Sequence, residues 1–230
     1  MLASDLEEIF PGISDLEIDL SLPFCLKDGH AKDYEYKLIC GLIKYQALRA
    51  SEEEGFLVLE VGTFDGLSTL QIANNIPEGG VVHTVNLPAG ARSKLNTDHF
   101  NDKYTRDVEV GARFFGTQDE FKIRQHFIDS ADMDVRELTG GKAVDAVFID
   151  GCHSFEYCQN DTLKALKALN PGGIVIWHDY LRPMWPGVTE FVNQFARAGN
   201  RVFWFGGQYE MEVDGRRCSV AFHRADGGAN

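Results

Sequence analysis

Phe56-Leu57-Val58-Leu59-Glu60-Val61-Gly62-Thr63-Phe64-Asp65-Gly66 is the stretch on which the fold turns. Five of its first six residues are apolar, and the run stops at a glycine. A short, nearly all-apolar run suits a strand buried on both faces, as in a parallel sheet. Gly62 and Gly66 allow a tight turn and a close ligand approach to the backbone. Residues 66–74 then read as a helix.

The same texture repeats outward. Residues 81–85 read as a second strand, 121–128 as a third, 143–149 as a fourth and 174–177 as a fifth. Residues 154–169 read as a helix stopped by Asn170-Pro171-Gly172-Gly173. Val188, Phe191, Val192 and Phe195 recur at helical spacing. Residues 201–205 and 218–223 look like two strands around a turn at Asp214-Gly215. Upstream, Leu38, Ile39, Leu42 and Ile43 form one apolar stripe of a helix over residues 33–49. Strands alternating with helices predict an α/β fold: a doubly wound, Rossmann-like, mostly parallel seven-stranded sheet with an antiparallel edge strand, plus an N-terminal helical extension. The division expected is an arm and helix over 1–50 and a ligand-binding domain over 51–230.

The 230 residues are 44% hydrophobic and 25% charged, an ordinary globular composition. A net charge of −13 argues against nucleic acid or an anionic membrane as partner. The odd set Cys25, Cys40, Cys152, Cys158 and Cys218 fits neither a disulfide framework nor a zinc ribbon. Reduced thiols in a cytoplasmic protein are expected. The acidic start carries no signal-peptide pattern and no apolar run spans a bilayer. Residues 1–30 read as a solvated arm or short helices; packing across a dimer partner or over the active site is the alternative.

Ligands on such sheets sit beyond the carboxyl ends of the strands, so each strand end matters. Strand one delivers Glu60, Gly62, Thr63, Phe64, Gly66 and, in the next helix turn, Ser68. The spacing is G-x-x-x-G, not the G-x-G-x-x-G of a dinucleotide site. Strand two ends at Asn86, able to accept from a ribose hydroxyl, and strand three at Asp129 and Ser130. Strand four ends in Asp150-Gly151-Cys152-His153 and strand five in His178-Asp179-Tyr180. If these strands are neighbours, Asp150, His178 and Asp179 converge as donors for a divalent ion. His153 lies close enough to act as a base. For each residue a turn or cap role is the competing reading.

Leu59-Glu60-Val61-Gly62-Thr63-Phe64-Asp65-Gly66-Leu67-Ser68 resembles the first motif of class I S-adenosylmethionine-dependent methyltransferases. Phe148-Ile149-Asp150-Gly151-Cys152-His153-Ser154-Phe155, with Pro171-Gly172-Gly173 and His178-Asp179-Tyr180, resembles the macrocin-type and cephalosporin hydroxylase-like O-methyltransferase branch. The resemblance spans about residues 35–225. It implies S-adenosyl-L-methionine as cofactor. Gly62, Thr63, Phe64, Gly66 and Ser68 would line its methionine half, with Glu60 counted in the same set. Asn86 would meet the ribose, Asp129 and Ser130 the adenine, and Asp150 the methionine amino group. Asp150, His178 and Asp179 would hold a metal, Mg2+ or Mn2+, and His153 with Asp150 would be catalytic. Asn86 and His178 depart from the acidic residues usual in the family.

The activity expected is methyl transfer to a hydroxyl of a small molecule, a sugar or a catechol-like phenol. A homodimer is expected by analogy alone. Residues 87–120, with Arg92, Lys94, Lys103, Arg106 and Arg113, suggest a lid with a basic lining. Trp177, Tyr180, Trp185 and Phe205 suggest an aromatic wall, with core packing as the alternative. The competing functions are a non-catalytic binding protein of the same fold and a nicotinamide oxidoreductase.

Overall fold

The computed structural model describes residues 3–20, 30–50, 55–95, 108–204 and 218–225. Among these residues seven strands form one sheet: β1 (Leu57–Val61), β2 (Val81–Asn86), β3 (Ile123–Phe127), β4 (Val144–Ile149), β5 (Leu169–Trp177), β6 (Val202–Trp204) and β7 (Ala221–Arg224). Their order is β3-β2-β1-β4-β5-β7-β6. The first five pair in parallel, and β7 runs antiparallel between β5 and β6 at one end of the sheet.

The helices are α1 (Ala3–Ile9), α2 (Asp33–Ala47), α3 (Leu67–Asn74), α4 (Val135–Leu138), α5 (Phe155–Ala168) and α6 (Pro186–Arg197). Strand residues alternate between two apolar layers because successive side chains point to opposite faces. Val58, Phe148 and Ile176 pack against Ile39, Leu42 and Ile43 of α2. Leu59, Val147 and Val175 pack under Cys158 and Ala165 of α5 and Phe191 and Val192 of α6. Burial on both faces explains why the central strands read as unbroken apolar runs.

Several boundaries differ from expectation. β3 is shorter than 121–128. β5 begins at Leu169, so the Asn170-Pro171-Gly172-Gly173 stop is drawn into the strand, with a register shift opposite Val144 and Ala146. The turn at Asp214-Gly215 and Phe205 of the aromatic wall lie outside the described residues. The solvated-arm reading is overturned where the arm is described: Phe10 is fully buried and meets the rings of Tyr45 and Phe222 at 5.1 and 5.5 Å.

The topology fixes where a ligand goes. β1 has β2 on one side and β4 on the other, so the chain order reverses there. Val61 pairs with Val85 and with Ile149, and Ile149 with Trp177. The residues just beyond, Gly62, Asn86, Asp150 and His178, therefore share one rim.

Candidate active site

A cavity of about 710 Å³ opens above that rim. Its floor begins with the turn after β1. Gly62 has φ +104°, and a Cβ there would stand 2.2 Å from the Asp150 carbonyl oxygen. Only glycine lets the ends of β1 and β4 approach so closely. Phe64 follows with φ +49°, and its N–H donates to Asn86 Oδ1 at 3.2 Å. Gly62, Thr63, Phe64, Ser68 and Asn86 all line the cavity. Gly66, the left-handed residue before α3, is not among the lining residues; it supports the turn from behind.

Glu60 does not line the cavity either. Its side chain is fully buried and accepts from Thr84 Oγ1 at 2.6 Å and from the Thr69 hydroxyl. Thr63 Oγ1 meets Thr84 Oγ1 at 2.6 Å, extending the chain to the turn. Burial raises the Glu60 carboxyl to about 7, with the Asp150 charge adding and the hydroxyl bonds opposing. Asp65 is clamped from two sides: His30 Nε2 lies 2.9 Å from Oδ1 and Arg113 Nε 2.7 Å from Oδ2. Burial would raise this carboxyl, but His30 and Arg113 outweigh it and hold it at about 2.

At the far end, Asp129 and Ser130 line the cavity. Asp129 also caps a short 3-10 turn through Ala131 N–H at 2.9 Å. Tyr157 O–H donates to Oδ1 and Oδ2 at 2.8 and 2.9 Å, and Lys94 N–H to Oδ2 at 2.9 Å. The cap and the lining role hold together. The Ser130 carbonyl accepts from Lys164 Nζ at 2.9 Å.

The ends of β4 and β5 bring four predicted residues together. His153 Nε2 lies 2.8 Å from Asp179 Oδ2 and 3.7 Å from Asp150 Oδ1. His178 Nδ1 lies 3.2 Å from Asp150 Oδ1 and 3.3 Å from Asp179 Oδ2. Burial alone would depress both imidazoles; the facing carboxylates outweigh it, raising His153 and holding His178 well above the ordinary histidine range. Asp179 holds a left-handed φ of +61° and pairs with Arg182 Nε at 2.8 Å.

Glu35 has no counterpart in the sequence reading. It is fully buried on α2, yet Oε1 accepts from Ser219 N–H at 2.8 Å and Ser219 Oγ at 2.7 Å. Its Oε2 faces His178 Nε2 at 3.4 Å and Arg182 at 3.3 Å. Burial would raise Glu35; the His178 bond and charge, the Lys32 N–H and Arg182 bring it to about 2. Its only sequence signal is a carboxylate in the first turn of a helix, which ordinarily reads as a cap. Tyr157 was equally hidden, as one more aromatic in a helix.

Asp150, His153 and Asp179 offer donor atoms within 4.8 Å of one another. Edges of 2.8 and 3.7 Å fit ligands around one divalent ion. His153 thus stands in this donor group where the sequence reading put His178, whose two ring nitrogens both face carboxylates. The expected basic lining is not found among the described residues: Arg113 is spent on Asp65, the Lys94 ammonium pairs with Asp132, and Arg92 is exposed. Lys103 and Arg106 lie outside the described residues. Of the aromatic wall, Tyr180 and Trp185 line the cavity, whereas Trp177 is core.

A family profile described as "Methyltransferase domain" matches residues 59–180, more than half of the chain. No curated protein matches by sequence. Among solved structures, the O-methyltransferase TomG from Streptomyces achromogenes, involved in tomaymycin synthesis and in complex with SAM, is 17% identical. The match covers 99% of this chain and 100% of that one, with a TM-score of 0.56. CalS11, a calicheamicin methyltransferase, is 12% identical over 97% of this chain and 93% of its own, with a TM-score of 0.62. An O-methyltransferase from Bacillus cereus in complex with SAH is 15% identical over 98% and 92%, with a TM-score of 0.55. At these identities the likeness is one of fold.

Proposed function

Because the chain belongs to the methyltransferase-domain family, we propose that it moves the methyl group of S-adenosyl-L-methionine to a hydroxyl oxygen of a small molecule. The observation that carries this is one cavity joining the Gly62 turn, Asn86 and Asp129–Ser130 to the Asp150–His153–Asp179 cluster. S-adenosylmethionine, when bound, supplies a methyl already activated on a sulfonium. The chain's share is alignment and removal of the acceptor proton.

Gly62, Thr63, Phe64 and Ser68 would cradle the methionine half, with Gly66 and Glu60 bracing the turn behind them. Asn86 would hold the ribose, although its Oδ1 already accepts from Phe64 N–H. Asp129 and Ser130 would meet the adenine, and Asp150 the methionine amino group. His153 is the base: its Nε2 faces Asp179, which steadies the imidazolium formed on taking the acceptor proton. Since only neutral imidazole accepts a proton, the same carboxylates delay its readiness to higher pH. A divalent ion, Mg2+ or Mn2+, would be held through the Asp150 and Asp179 carboxylates, leaving the His153 ring to take the proton, and would lower the pKa of the acceptor hydroxyl.

Calorimetric titration with S-adenosylmethionine and S-adenosylhomocysteine, with NAD as control and with and without Mg2+, tests the reading. Binding of both sulfur ligands and none of NAD is expected. Failure of both would overturn it in favour of a non-catalytic protein of the same fold. Loss of any Mg2+ heat in Asp179→Ala would assign the metal to this cluster.

A further inference from the structure

The acceptor end of the cavity has a second wall, formed by residues 181–185 after β5 and by Trp204. Leu181 and Met184 line the cavity while 47% and 62% exposed, and Pro183 is also exposed. Large apolar side chains held out beside a cavity mark a binding surface. Two hydrogen bonds hold the loop: Leu181 N–H donates to Thr189 Oγ1 at 2.9 Å and Trp185 N–H to the Arg182 carbonyl at 3.0 Å. Trp185 lies flat on His153, with centroids 4.1 Å apart and planes 19° apart. The apolar wall therefore continues directly from the base.

Polar capacity is scarce on this wall. The one charged side chain of the loop, Arg182, is committed to Asp179, Ser219 and Glu35. A sugar presents hydroxyls around its ring and needs several side-chain partners, which this loop does not supply. An anionic acceptor needs a spare cation, and His30, His153, His178 and Arg182 each face a carboxylate among the described lining residues. We infer that residues 181–185 recognise the acceptor, and that they take the flat apolar face of a neutral, ring-bearing hydroxyl compound. The inference rests on the methyl-transfer reading.

The probes are catechol, 4-propylcatechol, methyl α-D-glucopyranoside and 3,4-dihydroxybenzoate, each titrated calorimetrically into the full chain saturated with S-adenosylhomocysteine. The expected order puts 4-propylcatechol first, about tenfold tighter than catechol, because its added carbons leave water. Met184→Ser and Leu181→Asn should each weaken 4-propylcatechol about fivefold while the affinity for S-adenosylhomocysteine stays the same. Asparagine tolerates the left-handed backbone at 181, and Met184 is a surface side chain, so both variants keep the fold. Tighter binding of the glucoside or the carboxylate, no gain from the propyl group, unchanged affinity in both variants, or no binding of any probe would overturn the inference. Absence of S-adenosylhomocysteine binding itself would be a failure of the methyl-transfer reading instead.

Discussion

The loops after β1 and β5 both turn through left-handed backbone, but they reach it differently. After β1 the turn uses Gly62 and Gly66, with φ of +104° and +89°, around a single left-handed side chain, Phe64 at +49°. After β5 it uses Asp179 and Leu181, with φ of +61° and +63°. Glycine adopts such angles freely, whereas a side chain there costs ~1–3 kcal/mol and persists only where its surroundings impose it. Around Asp179 those surroundings are Arg182, His178 and His153. The first loop is shaped chiefly by its two glycines and suits a ligand lying against backbone. The second is shaped by charge and holds a reactive cluster in place.

The largest effect is expected at Gly62. Gly62→Ala should destabilise by ~5 kcal/mol, since the new Cβ has no room beside the Asp150 carbonyl and the angle is unfavourable. Thermal denaturation would show a large drop in Tm; a drop of only a few degrees would refute the close approach. Asp179→Ala comes next, at ~3–4 kcal/mol, because it leaves Arg182 and His178 short of a buried partner. Denaturant titration would measure it, and an unchanged midpoint would mean the cluster does not impose the strained angle.

A smaller effect is expected in pH. His153 is raised by Asp150 and Asp179 against its burial, and the active form is the neutral one. Methyl transfer to a catechol probe should therefore rise with pH, levelling off only above the ordinary histidine value of about 6.5. A rate already level at pH 6 would argue for another base. Smallest of all, Leu181→Gly should raise stability by up to ~1 kcal/mol through relief of the left-handed angle. A loss on chemical denaturation would show that Leu181 is held by packing rather than tolerated.

The same contrast explains what the sequence discloses. β1, β4 and the last four residues of β5 are legible because strands buried on both faces read as near-continuous apolar runs. The glycine turn is legible because backbone geometry restricts residue type. Asp150, His153, His178 and Asp179 are legible because each ends an apolar run. Glu35 is not, since α2 is separated from Ser219 by most of the chain and nothing local marks that acid as buried. Glu60 can be located but not interpreted: its position gives no hint that it braces Thr69 and Thr84 behind the turn instead of facing the ligand. Arg113 is not legible as part of a basic lining because charge along a chain does not reveal pairing, here with Asp65.

A crystal structure of the chain with S-adenosylhomocysteine would place the cofactor relative to both loops. The homocysteine is expected on the Gly62–Ser68 turn, the adenine between Asn86 and Ser130, and the sulfur facing Asp150, His153 and Asp179. A ligand bound the other way round, with its adenine on residues 181–185, would contradict this placement.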